Sequence, residues 1–356
     1  MRTLLKLLLI VALVVVGVPA LAQEDASADT SQQTSVSRTD SWRINGLRFE
    51  PQKWNNCGPA TLTNALSFFG YGDNQDRAAD WLKPNYEDKN VSPDQMAAFV
   101  NSQIPELNIR ARLRYGGNQE LLKQLVFNNF PVIIEKGYDP EPDRLGWMGH
   151  YLLIVGYDDA QGTFTTHDSY IGAYEPYSYE YITEYWQHFN YTYLVLYEAE
   201  REAELDAVLG TDADPYQNMI NAFRIAQTEA EADQNDSFAW FNMGTNLVML
   251  GLYEDAAYAY DIARGLGLPW RMLWYQFGPY EAYYQTGRYD DVLTLARGVL
   301  NDGGGHFVEE TFYYGGLARE ALGETERALS NYAEAARFNP NFSPAVEARN
   351  RLQSGG

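Results

Sequence analysis

Apolar and polar positions change period several times along the chain. Leu7 to Val18 is a nearly unbroken apolar run, and residues 23–40 are dominated by Ser, Thr, Asp, Gln and Ala with one Val. A stretch without apolar periodicity buries no core, so a flexible tether is expected over 23–41. From Trp42 to residue 199 the periods mix. Leu62, Ala65, Leu66 and Phe69 recur at helical spacing, with Pro59 suited to the first turn and Gly70 to the exit. Further helices are expected near 75–83, 93–103 and 117–128. Strand-like runs follow at Val132–Ile134, Tyr151–Val155, Thr163–Thr166 and Tyr193–Tyr197. Helices first and strands later predict an α+β domain over 42–199.

Beyond residue 200 the pattern becomes helical throughout and repeats. Gly251, Gly287 and Gly323 recur at intervals of 36, and Gly244, Gly278 and Gly316 mark an earlier position in each unit. Trp240, Trp274 and Phe312 stand four residues before the latter three, while Ala256, Tyr260 and Ala263 match Ala328, Tyr332 and Ala335. This pattern resembles the tetratricopeptide repeat, in which small residues let paired helices approach closely and aromatics fill the gaps. It implies an all-α solenoid with three units in 237–340 and a capping helix over 342–353, so that 237–353 form the repeat module behind a helical connector at 200–236. Val292 replaces an alanine of the pattern, so the middle unit is expected to depart over Asp290–Arg297. Most aromatics of 270–289 are read as repeat core.

The remaining composition narrows the function. A net charge of −22 argues against a nucleic-acid partner. Arg2, Lys6, the apolar run and Ala20-Leu21-Ala22 form the pattern of a signal peptide over 1–22, too short in its apolar part for a membrane span. The chain is therefore expected to be secreted or at the cell surface, with no stable span after cleavage. In an exported chain cysteines normally pair, yet Cys57 is the only one. It is a buried inert thiol, an intermolecular link or a functional group. Gly58-Pro59 directly behind it places the sulfur at a helix start, where the dipole favours a thiolate and the Cys57 N–H is available to an oxyanion.

A nucleophilic thiol needs a base, and the histidines are His150, His167, His188 and His306. His150 opens the strand HYLLIVGY and His167 ends TFTTHD. A hairpin centred on Asp159 sets His150 opposite Asp168 and turns His167 to the other face; a four-residue turn moves the partner to Ser169. The order Gln52, Cys57-Gly58-Pro59, His150, Asp168 resembles the papain-like cysteine peptidases, and among them the bacteriocin-leader-processing, or double-glycine, branch. The resemblance covers about 45–197. It implies a thiolate–imidazolium pair of Cys57 and His150, an orienting Asp168, and an oxyanion hole from Gln52 and the Cys57 amide. The sequence departs from that pattern at Asn56, where an Asp is frequent, and in a Gln-to-Cys interval of five, slightly short for the superfamily.

The loop from Tyr138 to Gly149 is read as a wall of the cleft, with Trp147 and Met148 touching substrate. Its acids lack the alternation of a calcium loop, so no metal and no cofactor is expected. The expected function is an exported cysteine peptidase acting on peptide or protein, with a repeat module open to a protein partner. Amidase or transpeptidase acyl transfer on the same fold, and an inert interaction scaffold, are the alternatives.

Overall fold

The computed structural model describes residues 38–139 and 146–354. The signal peptide expected over 1–22 lies outside the described residues, as does most of the tether. The tether's last residue, Ser41, already belongs to a strand, β1 (Ser41–Arg43), which pairs with β4. Among the described residues no helix is long and apolar enough to cross a membrane.

The first half builds one antiparallel sheet. After β1 come α1 (Cys57–Leu66), α2 (Gln75–Leu82), α3 (Pro93–Gln103), β2 (Ile109–Arg114), α4 (Gln119–Phe127), β3 (Val132–Tyr138), β4 (Met148–Asp158), β5 (Thr163–Asp168), β6 (Gly172–Ser178), α5 (Tyr179–Gln187) and β7 (Tyr193–Glu198). The strands run in the order β2-β7-β3-β4-β5-β6. Alternation along β4 sends Leu153 and Val155 to one face, against Leu62 and Leu66 of α1, and Leu152 and Ile154 to the other, against Leu122 and Trp186. The sheet is thus covered on both faces, and α1 is held against one of them.

The hairpin register differs from the expected one. Asp158 pairs with Thr163, so residues 159–162 form the turn, and the register then shifts between Ile154 and Gly156. This bulge at Val155 leaves Leu153 opposite His167. One step further, Asp168 faces Leu152, and His150 lies two residues along the same face. Diagonal neighbours of this kind remain within reach of long side chains. The expected shared face of His150 and Asp168 is kept, while direct opposition is not.

The second half is helical: α6 (Glu202–Leu209), α7 (Pro215–Ala232), α8 (Ser237–Met249), α9 (Tyr253–Leu266), α10 (Gly278–Gln285), α11 (Tyr289–Leu300), α12 (Glu309–Ala321), α13 (Thr325–Phe338) and α14 (Ser343–Ser354). Gly251, Gly287 and Gly323 each take left-handed backbone at the turn between paired helices, with φ of 75°, 73° and 78°. A Cβ at Gly244 would stand 2.8 Å from the Tyr260 ring, and one at Gly316 would stand 2.5 Å from Tyr332. The close approach read from the sequence is real. The fold is therefore an α+β papain-like domain followed by an all-α repeat solenoid.

The middle unit departs, but not where expected. Val292 is buried in a regular α11. The change lies in the unit's first helix, α10, with 8 residues where α8 and α12 have 13 each. Pro279 explains this, because a proline inside a helix clashes with the carbonyl four residues earlier and is accepted only in the first turn. Trp274 and Tyr275 therefore leave the helix.

The solenoid is bonded to the sheet domain through polar side chains and rings. Asn190 and Asn246 exchange paired amide bonds of 2.7 and 3.1 Å, Asn242 donates to the Gln187 carbonyl at 2.7 Å, and Asn341 donates to that of Trp81 at 2.8 Å. The Phe238 ring stacks on His188 with centroids 3.7 Å apart. Trp147 belongs to this contact. Its ring stacks on Phe189, meets Tyr275 edge-on, and donates its N–H to His188 Nδ1 at 3.0 Å. Trp147, expected at the substrate, instead fills the seam between the two halves. Trp147→Ala is expected to destabilise the protein by about 3 kcal/mol, read as a lower melting temperature. An unchanged melting temperature with a raised KM would return Trp147 to the substrate wall.

Candidate active site

The loop before α1 is held from several sides. Gln75 is 1% exposed, and its side chain donates to the Pro51 carbonyl at 2.8 Å and accepts from the Lys53 N–H at 2.8 Å and from Asn56 Nδ2 at 3.0 Å. Buried Lys83 donates to the Asn55 carbonyl at 3.2 Å. Asn55 itself takes left-handed backbone, φ 52°, which asparagine tolerates better than most residues. An amide at position 56 fits because it donates to Gln75 Oε1; a carboxylate there would face that oxygen without a proton to give. These bonds deliver Cys57 to the first position of α1, half-buried, where its N–H has no intrahelical acceptor.

The base comes from the sheet. His150 is 4% exposed, and its Nε2 lies 2.8 Å from Asp168 Oδ1. Burial works to lower the imidazole's pKa. The Asp168 charge and hydrogen bond, with a hydrogen bond to the Cys57 sulfur, outweigh it and raise the value to about 9. With Nε2 on Asp168, Nδ1 is the ring nitrogen left for the thiol.

Asp168 has no solvent exposure. Its Oδ1 also accepts from the backbone N–H groups of Tyr170 at 2.9 Å and Ile171 at 3.2 Å, and its Oδ2 accepts from the Tyr177 hydroxyl at 2.7 Å. Burial alone would raise its pKa. The His150 charge and these donors hold the carboxyl well below the usual carboxylate range.

Gln52 faces the same space. Its backbone N–H bonds to the Ser169 carbonyl at 2.8 Å, and its Oε1 accepts from the Ser169 hydroxyl at 3.0 Å. That second bond engages the oxygen end of the amide and leaves the NH2 end for the cleft. The interval of five residues is thus compatible with placing Gln52 and Cys57 on one cavity. The other histidines are elsewhere. His167 is buried on the opposite face against Phe49 and Tyr174, with burial lowering its pKa to about 4, and His188 is in the seam.

Cys57, His150 and Gln52 open into a cavity of about 480 Å³. Met148, expected at the substrate, lines it, and Trp147 does not. The sheet domain adds Trp54, Tyr138 and Tyr170, and the solenoid adds Arg271, Trp274 and Tyr275. Trp274 and Tyr275 belong to the aromatic stretch 270–289, read mostly as repeat core, and the helix-breaking Pro279 was the available signal otherwise; Arg271 was given no role. A second group also went unforeseen. Lys136, paired across the sheet with His150, is wholly buried, with its nitrogen 4.8 Å from the Tyr138 ring centroid and 4.9 Å from that of Tyr181. Burial lowers its pKa to about 7, against the pull of Asp168. A cation inside the apolar run VIIEKGY was the available signal. Among the described residues no group of side chains could hold a metal ion.

Residues 18–194 match the model of the Peptidase_C39 like family, a span that includes Gln52, Cys57, His150 and Asp168. Among solved structures, a C39-like peptidase from Bacillus anthracis is 15% identical, with 44% of this chain and 97% of that one covered and a TM-score of 0.36. The MamA protein is 15% identical over 44% of this chain and 83% of that one, TM-score 0.35. A MamA fragment from Desulfovibrio magneticus RS-1 is 16% identical over 43% and 94%, TM-score 0.32. No curated protein matches the chain.

The pKa of His150 makes the site testable by titration. A group raised from 6.5 to about 9 stabilises the fold fully below pH 6.5 and loses that contribution as pH rises through 9. NMR titration of His150 should show an imidazolium persisting beyond neutrality, and Asp168→Asn should move the midpoint down by at least one unit. An unchanged midpoint in that variant would remove Asp168 as the cause.

Proposed function

We propose that the chain is an exported cysteine peptidase that hydrolyses peptide bonds through Cys57, His150 and Asp168. The observation that carries this reading is the joint placement of a helix-start thiol, an aspartate-anchored imidazole and an outward amide on one cavity. The match of residues 18–194 supports it.

The steps follow from the geometry. The Cys57 sulfur attacks the scissile carbonyl carbon, and the oxygen that gains the charge is held by the Cys57 N–H and the Gln52 NH2. The C–N bond breaks as His150 gives its proton to the leaving amine, and a thioester remains. His150 then takes a proton from water, the hydroxide adds to the thioester carbon, and the sulfur leaves with the acid released. Asp168 keeps one edge of the imidazole engaged, so the other meets sulfur and substrate in turn. The solenoid's part is to close one wall of the cleft, supported by its bonds to the sheet domain and by Trp274 and Tyr275 at the cavity.

Hydrolysis of a fluorogenic unfolded protein tests the reading. Cys57→Ala and His150→Ala should abolish turnover, and Gln52→Ala should lower kcat by roughly 10²–10³ with little change in KM. Turnover that survives Cys57→Ala would overturn it.

A further inference from the structure

A buried lysine stands beside the reacting groups. Lys136 lies on β3 directly opposite His150 on β4, so the two side chains share a face of the sheet. It has no solvent exposure. An ammonium placed there is costly unless acceptors and counter-charge surround it. Its nitrogen donates to the Gly137 carbonyl at 3.0 Å and to the Tyr181 hydroxyl at 3.1 Å. Four tyrosine rings enclose it, with centroids at 4.8 Å for Tyr138, 4.9 Å for Tyr181, 5.5 Å for Tyr185 and 5.9 Å for Tyr177. The negative faces of such rings favour a cation.

Two of the four rings also meet the catalytic pair. The Tyr177 hydroxyl donates to Asp168 Oδ2 at 2.7 Å, and the same ring stacks on Tyr181 with centroids 5.1 Å apart. The Tyr138 ring centroid lies 5.3 Å from that of His150. Burial raises the pKa of the Tyr177 and Tyr181 hydroxyls, with the Asp168 charge adding to it, so both remain protonated. His188, just past α5, is held neutral: burial and the Lys136 charge lower its pKa to about 4. Asp168 on β5 attracts both cations, Lys136 from β3 and His150 from β4.

Two cations on one carboxylate compete. A charge on Lys136 offsets part of the pull of Asp168 on the imidazolium, so His150 releases its proton more readily than Asp168 alone would let it. A general acid works best with a pKa near the operating pH, which gives that offset a use. We propose that Lys136 is a positioning residue of the catalytic site, which holds Tyr177 on Asp168 and Tyr138 against His150 and, when charged, tempers the hold of Asp168 on the imidazolium. The inference rests on the reading of Cys57, His150 and Asp168 as the reacting groups and adds the residue that adjusts them. A lysine that only braced β3 against α5 would leave the titration of His150 unchanged.

The experiment is an NMR titration of His150 and of the Lys136 ammonium in the full chain, with Lys136→Arg and Lys136→Met beside it. Arginine keeps its charge throughout such a titration, and methionine has none. His150 should lose its proton about one pH unit lower in Lys136→Arg than in Lys136→Met. In the unsubstituted protein the His150 resonances should shift at the pH where Lys136 itself titrates, a readout that needs neither variant to fold. Equal midpoints in the two variants, or a Lys136 titration that leaves the His150 resonances in place, overturn the proposal. Peptide turnover gives a second arm: Lys136→Met should lower kcat roughly tenfold with KM kept, and Lys136→Arg should restore part of the loss. A kcat unmoved by Lys136→Met overturns it as well. Coupling of Lys136 to His150 in a protein that hydrolyses no peptide supports this inference and defeats the peptidase reading alone.

Discussion

A carboxylate sealed from water is the constraint around which the site is arranged. Asp168 is costly to bury as an anion unless each oxygen finds donors. It finds them in the His150 ring, two backbone amides and the Tyr177 hydroxyl. Each donor is tied to the fold in turn. Tyr170 and Ile171 form the turn after β5, Tyr177 lies on β6, and His150 lies near the start of β4 across from buried Lys136. Moving any of these strands would strand the charge. The same bonds that satisfy Asp168 therefore fix the imidazole's angle, and through it the nitrogen left for Cys57.

The opposite wall is fixed by different means. Cys57 is not positioned by the sheet pairing but by amide bonds in the loop ahead of α1, with Gln75 at their centre and Gln52 bonded to Ser169, the residue after Asp168. The two halves of the chemistry thus meet through a short polar bridge. Around them the solenoid closes the remaining side with residues released where Pro279 shortens a helix. Sequence separation between Cys57 and Tyr275 is large, yet both face one cavity.

Legibility followed locality. The helix beginning at Cys57, the strand that carries His150, although it starts at Met148 rather than at His150, and the repeat glycines with left-handed backbone were readable because each depends on a few neighbouring residues. The bulge at Val155 was not, since the apolar run around it reads the same with or without an extra residue. That is why the facing of His150 and Asp168 was correct while their direct opposition was not. Trp147 was misassigned because an aromatic beside a histidine fits a substrate wall as well as a domain seam; only the packing of Phe189 and Tyr275 decides between them. Tyr177 and Gln75 carry no motif and emerge only as partners of groups already in place.

The central claim is that folding itself activates the one thiol. The most direct measurement is the second-order rate of Cys57 alkylation by iodoacetamide at neutral pH in the native protein, in the protein unfolded in denaturant, and in native Asp168→Asn. The account predicts a native rate at least tenfold above the unfolded one, with most of that gain lost in Asp168→Asn. A native rate equal to or below the unfolded one would contradict it, since burial without activation slows a thiol.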